Sequence, residues 1–133
     1  MPLDFNSVLG FDSRALSIAS QRMQILASNL ANSDTPHYKA KDLNFAAAMQ
    51  AQEQQLNQPY LQTTNAQHLS GLPPMAAQGV VQYRIPTQPS LDGNTVDAQM
   101  EEAAFSDNTM HYQATLTFLT NSIKNLMTAV KGT

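Results

Sequence analysis

Two heptad patterns, one near each end of the chain, constrain the fold more than any other feature of the sequence. Between residues 5 and 30, and again between 105 and 130, seam positions recur at alternating spacings of four and three. This spacing keeps one stripe on one face of a helix and is typical of a coiled coil. Asp12 is a polar break in the first seam. The simplest way to bury both seams is an antiparallel coiled-coil hairpin between an N-terminal and a C-terminal helix.

The seam residues are predicted to form the core within the chain. In the first helix these are Leu16, Met23, Leu26 and Leu30, and in the second they are Tyr112, Leu116, Leu119, Ile123 and Leu126. We therefore predict an all-α fold. Its coiled-coil core is discontinuous and comprises residues 1–35 plus 95–133. Residues 36–94 form a loop-rich, mostly irregular middle segment.

The middle segment differs in composition from the two ends. Residues 57–95 contain five of the seven prolines and three of the five glycines, which favours loops. An Ala- and Gln-rich stretch predicts a short helix near 45–56, and alternating apolar residues predict a short strand within 80–85. The first helix is expected to stop before Pro36, because proline disfavours a helical conformation at the preceding residue.

The N-terminal helix carries a second apolar stripe. Phe11, Ile18 and Ile25 recur every seven residues, roughly 100° or more around the helix from the seam. A helix that is apolar on two faces needs two partners to bury them. One partner can come from the same chain. We predict that these three residues make contacts with a second subunit.

Charge and cysteine content exclude several classes of function. Charged residues make up only 13% of the chain, against about 25% in typical soluble domains. The net charge is −3 and no cluster of Lys and Arg occurs, which disfavours nucleic-acid binding. No cysteine is present, so neither a disulfide framework nor thiol chemistry is expected. We find no cleaved signal peptide and no transmembrane segment, so the chain either stays in the cytosol or leaves by another route.

No residue pattern predicts catalysis or a cofactor. None of the three histidines has a second histidine at helical spacing, and no cysteine is present, so we predict no metal site. Glu101 and Glu102 are adjacent and therefore point apart on a helix; we interpret them as a solvated face near a helix N-terminus. The sequence contains no phosphate-binding or hydrolase motif. We predict that the chain is not an enzyme and holds no cofactor.

Residues 25–40, Ile-Leu-Ala-Ser-Asn-Leu-Ala-Asn-Ser-Asp-Thr-Pro-His-Tyr-Lys-Ala, resemble the N-terminal signature of the flagellar axial proteins. Within that group the chain is most similar to the flagellar basal-body rod protein family. The residues that carry the motif and its turn are Asn29, Asn32, Asp34, Thr35, Pro36 and Tyr38. The runs at 41–45, 63–69, 92–97 and 108–113 also resemble a short, proximal member of this family. The resemblance spans essentially the whole chain.

The resemblance implies a structural subunit that is exported unfolded without a cleaved signal peptide and polymerises helically into the periplasmic drive shaft. It implies several partners: other copies of itself, neighbouring rod proteins of the FlgC and FlgF type, the rod adaptor FliE, the MS ring and the flagellar type III export apparatus. The family usually has glycine where this chain has His37, which suggests a positive φ. Either His37 adopts that conformation or the turn differs locally.

Heptads alone leave a second class of function open. A secreted helical-hairpin adaptor or chaperone of a type III export system would carry similar seams without polymerising. The motif at residues 29–38 favours the rod subunit over this alternative.

Overall fold

The structure, a computed structural model, describes residues 5–56, 81–86 and 90–132. The described residues form three helices and one two-stranded sheet. In chain order these are α1 (Phe5–Ala31), β1 (Lys41–Leu43), α2 (Phe45–Leu56), β2 (Val81–Tyr83) and α3 (Ala98–Lys131). The fold is mostly helical, as predicted, and the small sheet is an addition to the predicted all-α class. Sequence-based expectations for residues 57–80 and 87–89 lie outside the described residues.

Helices α1 and α3 pack against each other in opposite directions. At one end the Asn29 side chain contacts Glu101, and farther along Asn108 donates a hydrogen bond to the Ala19 carbonyl at 2.9 Å. At the other end Leu9 and Leu126 line the same apolar cavity. We call the first end the loop end and the second the distal end of the helix pair.

Helix α3 has well-defined caps at both ends. The Asp97 carboxylate accepts hydrogen bonds from the backbone N–H groups of Gln99 and Met100 at 3.1 and 3.2 Å, which satisfies donors left free at a helix N-terminus. Gly132 ends the helix with a φ of 72°, and its N–H donates to the Thr128 carbonyl. Glycine is the usual residue at this left-handed position. The helix predicted from about residue 95 thus begins three residues later.

The two strands are antiparallel, with Lys41 opposite Tyr83 and Leu43 opposite Val81. The N–H of Arg84 extends the pairing to the Ala40 carbonyl at 2.9 Å. Strand β2 falls within the stretch predicted as a strand, and α2 covers the predicted short helix. Strand β1 was not predicted, because three residues are too few to show an alternating pattern.

The densest apolar packing lies on one side of the helix pair, where β1 and α2 cover α1. Ile18 is fully buried there with Leu43 and Ala48, and Ile25 and Met49 pack against them. This finding corrects the prediction that Ile18 contacts a second subunit. The second apolar stripe of α1 does have its own partner, but for Ile18 that partner belongs to the same chain.

None of the helices in the described part of the chain is long and apolar enough to cross a membrane.

Candidate functional site

The contact faces of α1 and α3 differ from the predicted seams. At every second seam position, the residue that faces the other helix is the one directly before the predicted residue. On α1 the buried positions are Ala15, Ala19, Leu26 and Asn29. On α3 they are Glu101 and Asn108, followed by half-buried Tyr112, Thr115, Leu119, Ser122 and Leu126. Both series keep the heptad spacing. Seven of these eleven residues are polar or small, whereas the sequence analysis expected larger apolar ones on much of this face.

The offset leaves an apolar flank on one side of the helix pair. Its members are Leu16, Met23 and Leu30 of α1, which are half-buried, and Leu116 and Ile123 of α3, which are 45% and 41% exposed. Each follows by one residue a position of the contact-face heptads, which for Met23 is half-buried Arg22. Because the helices run in opposite directions, a one-residue step turns both toward the same side. That side is opposite to Ile18, so β1 and α2 do not cover it.

A group of four charged residues and one asparagine, which we call the polar clasp, joins four elements at the loop end. It consists of Arg22, Asn29, Asp42, Arg84 and Glu101. Arg84 on the segment after β2 contacts Glu101 of α3 at 2.6 Å and Asp42 of β1 at 2.9 Å. Arg22 of α1 holds the other side of Asp42 through two hydrogen bonds of 3.1 and 3.3 Å.

The sequence interpretation of Glu101 as a solvated residue was wrong. Its side chain is fully buried, whereas Glu102 is exposed. A buried carboxylate requires an ion partner and further hydrogen bonds. Arg84 supplies the first and the amide of Asn29, at 3.2 Å, supplies the second. Glu101 therefore belongs to the interior of the loop end.

Asn29 connects the family motif to the clasp. Its side chain is fully buried and pairs with both backbone groups of Lys41: Nδ2 donates to the carbonyl at 2.7 Å, and Oδ1 accepts from the N–H at 3.1 Å. This amide pairs with the outer edge of β1 as a neighbouring strand would. The Tyr38 hydroxyl donates to the same Oδ1 at 3.3 Å. One asparagine thus aligns α1, the turn and the sheet.

The electrostatics of the clasp favour an ionised Asp42. Burial by itself raises the pKa of this carboxyl group, but hydrogen bonds from Arg22, from the Leu43 N–H and from Arg84 outweigh it. The pKa of Asp42 is consequently lower than its ordinary value. The Asp42 carboxylate carries its charge at neutral pH and lies between two guanidinium groups.

The remaining motif residues form a turn that docks on the loop before α3. Asn32 caps α1 by donating to the Ser28 carbonyl, and Thr35 donates to the Asn32 side chain. Asn94, itself buried, donates from its amide to the carbonyls of Asn32 and Ser33 at 3.1 and 2.6 Å. The two other motif residues, Asp34 and Pro36, are exposed.

His37 adopts the left-handed backbone conformation that the family glycine suggests, with a φ of 61°. Its N–H donates to the Asp92 carbonyl at 3.0 Å. Gly93 lies against the imidazole ring, and a Cβ at this glycine would come within 2.9 Å of His37 Nδ1. The histidine thus retains the turn, at the conformational cost that a side chain brings to positive φ.

Of the residues predicted to contact another subunit, Phe11 is the one that stays accessible. It is 61% exposed and borders a groove of about 410 Å³ between α1 and α3. Ile25 is half-buried beside Ile18. Within the described ranges, no cluster of three or more His, Cys, Asp or Glu side chains could hold a metal ion.

Sequence reasoning missed the clasp because its members are dispersed along the chain. Asn29 and Glu101 are separated by 72 positions, and Arg22 and Asp42 by 20. One signal was present: Ala15, Arg22 and Asn29 recur every seven residues, as do Glu101 and Asn108. Such heptads of small and polar residues beside an apolar seam could have identified the true contact face.

Comparisons with known proteins agree on one class. Residues 9–39 match the family model described as "Flagella basal body rod protein", which covers the motif turn and all but the first four residues of α1. Curated relatives named "Flagellar basal body rod protein FlgB" match almost end to end. The protein from Cereibacter sphaeroides is 43% identical over 96% of this chain and 97% of its own length. Those from Aeromonas hydrophila and Escherichia coli K12 are 42% and 41% identical, over 99% and 96% of this chain and 98% and 95% of their own lengths.

The fold and these matches define a flagellar basal body rod protein, a structural class, and confirm the family predicted from the motif. At this identity and coverage the assignment can be narrower. The chain belongs to the FlgB family of flagellar basal body rod proteins. The comparisons do not favour the alternative of a secreted adaptor or chaperone.

Proposed function

We propose that this structural subunit of the flagellar basal body rod polymerises helically through its helix pair, and that the apolar flank is a contact between subunits. The observation that carries the proposal is the flank itself. Leu116 and Ile123 are more than two-fifths exposed, and half-buried Leu16, Met23 and Leu30 lie on the same side of the helix pair. Exposed apolar side chains that share one side of a helix pair are typical of a protein interface.

The antiparallel coiled-coil hairpin is part of the same proposal. The reversed order of contacts between α1 and α3 supports it, and so does the heptad spacing of their contact faces. Buried Asn29 and Asn108 interrupt the apolar packing. Buried polar residues in a coiled-coil seam weaken the pair but fix its register. A rod subunit needs a fixed register, because every copy must present the same surface to its neighbours.

The proposal also includes a location and a set of neighbours, which the FlgB family relationship supports. The subunit lies in the proximal, periplasmic part of the rod beside the MS ring. Its partners are other copies of itself, rod proteins of the FlgC and FlgF type and the rod adaptor FliE. It reaches this place unfolded, through the flagellar type III export apparatus.

Paired aspartate substitutions test the flank. We expect Leu116→Asp with Ile123→Asp to abolish motility and rod assembly, because two carboxylates would be buried at the interface. The matched control is Met110→Asp with Thr117→Asp, which places two carboxylates seven residues apart on the exposed, outward face of the same helix. Motility on soft agar and basal bodies counted by electron microscopy are the readouts, with export of both variants checked by immunoblotting.

Normal motility of the flank variant would overturn the assignment of this surface, and so would equal loss of motility in the control. The neighbours can be identified separately. Because the chain has no cysteine, Leu116→Cys provides one thiol for a photoactivated cross-linker in flagellated cells. Cross-links to rod subunits are expected, and cross-links restricted to proteins outside the basal body would contradict the proposed location.

A further inference from the structure

Glu101 can be buried in the first turn of α3 because Arg84 reaches it. In the described part of the chain, Arg84 is the cation that forms an ion pair with this carboxylate, at 2.6 Å. The other hydrogen bond, from Asn29, comes from a neutral amide and cannot balance the charge. An unpaired ion in such a site is strongly unfavourable.

Arg84 in turn depends on the clasp for its position. It lies on the segment 81–86, whose neighbouring side chains Val81, Tyr83 and Ile85 are 47%, 70% and 88% exposed. The backbone of this segment pairs only with residues 40–43 among the described residues. A two-stranded ribbon is marginal by itself in water. The two carboxylates that bind Arg84 therefore contribute much of what fixes the segment.

These dependencies are reciprocal, and we propose that Arg84 acts as a latch. The loop end of the helix pair closes only when β2 docks, because docking delivers the charge that Glu101 needs. The latch couples the order of residues 81–86 to that of α1 and α3. Before Arg84 binds Glu101, the motif turn and the part of the apolar flank near Leu30 do not hold their folded positions. A chain in which residues 81–86 are not docked therefore lacks a complete assembly surface.

Hydrogen exchange measured by mass spectrometry on the full chain tests the latch. Arg84→Met removes the charge and keeps a long apolar stem. We expect exchange to accelerate by on the order of 10²-fold at residues 81–86 and also at 98–105, as for other buried ion pairs that lose one partner. The matched control Lys41→Met removes an exposed cation from the neighbouring strand and should leave 98–105 unchanged. Acceleration confined to the two strands would refute the latch.

A second substitution tests whether the faster exchange comes from the unpaired charge of Glu101 or from the lost packing of the Arg84 side chain. Adding Glu101→Gln to Arg84→Met removes the unpaired carboxylate while an oxygen remains for the Asn29 amide. Protection at 98–105 should then recover at least tenfold, although 81–86 still exchanges rapidly. Glu102→Gln in the same background alters the exposed neighbour and should restore nothing. If the two additions behave alike, the proposed coupling through charge is wrong. Should Arg84→Met not fold, the comparison of the two double variants decides the question.

Discussion

Replacing Asn29 by alanine should be among the most damaging single changes in this chain. The side chain is fully buried and makes hydrogen bonds to Lys41 N, Lys41 O, Glu101 and the Tyr38 hydroxyl. Alanine leaves the two backbone groups of Lys41 without partners and deprives Glu101 of its amide donor. Each group stranded in this way costs about 1–3 kcal/mol. Because part of the site lies near solvent, we expect the free energy of unfolding to fall by about 2–4 kcal/mol in total.

Urea unfolding of the purified chain, followed by circular dichroism at 222 nm, measures this loss. A matched control is Asn121→Ala, which deletes the same amide from an exposed position on α3. We expect the control to change the free energy of unfolding by less than about 0.5 kcal/mol, since alanine is also the better helix former. Equal slopes of the two transitions would show that the comparison concerns stability rather than the extent of unfolding.

Asn29→Asp separates the donor role from the acceptor role. The aspartate keeps an oxygen for the Lys41 N–H, but the atom that replaces Nδ2 is now an oxygen about 3.2 Å from the Glu101 carboxylate. At neutral pH two carboxylates would then face each other, and we expect a loss at least as large as that of the alanine variant. If Asn29→Asp is as stable as the unmodified chain, or Asn29→Ala matches the Asn121→Ala control, the account of the loop end given above is incorrect.

Two further predictions concern the turn and the clasp. Gly93→Ala should lower the free energy of unfolding by on the order of 1–2 kcal/mol, because the backbone has a positive φ and the new Cβ would contact the His37 ring. Gly132→Ala is the control, since its φ is also positive but the surrounding space is open. In the same urea titration it should lower the free energy of unfolding by about half as much or less. Asp42 should make stability depend on acid. Its folded pKa is below its unfolded value, so the unfolded chain binds more protons as pH falls; the contribution is complete above about pH 4 and is lost as pH drops through the folded pKa. Asp42→Asn should flatten the decline of stability below about pH 4, and identical pH profiles for the two proteins would contradict this reasoning.

The heptad patterns were sufficient to predict the long helices, because a 3.5-residue repeat sustained over 25 residues has no comparable alternative interpretation. They were not sufficient to choose the contact face. The sequence analysis placed Leu116 rather than Thr115, and Met23 rather than Arg22, on the contact face, since apolar residues are normally the buried ones. The structure reverses this choice at the positions where polar partners are available. At Asn108, for example, the side chain finds the Ala19 carbonyl of the opposite helix.

Ile18 illustrates a different limit of the sequence. Its stripe was recognised as apolar, and a second partner was correctly required, but the identity of that partner depends on how the chain folds back. The segment that covers it contains Leu43 and Ala48, about 25–30 residues farther along. β1 has three residues, and a single turn of α2 completes the contact. A sequence pattern this short does not predict where the chain docks. The turn at His37 was more accessible to prediction, since the family resemblance suggests glycine at this position, and a glycine there indicates a positive φ regardless of packing.

The opposed directions of α1 and α3 offer a way to read the polarity of a subunit within a larger structure. Leu9 and Val130 lie together at the distal end, while Ser90 lies beyond the first turn of α3 at the loop end. The length of α3, 34 residues, corresponds to about 50 Å between these ends. A gold or fluorescent label attached near either Leu9 or Val130 would therefore mark one pole, and a label at Ser90 would mark the other. Two such labels in separate preparations would show which pole of the subunit points toward the cell.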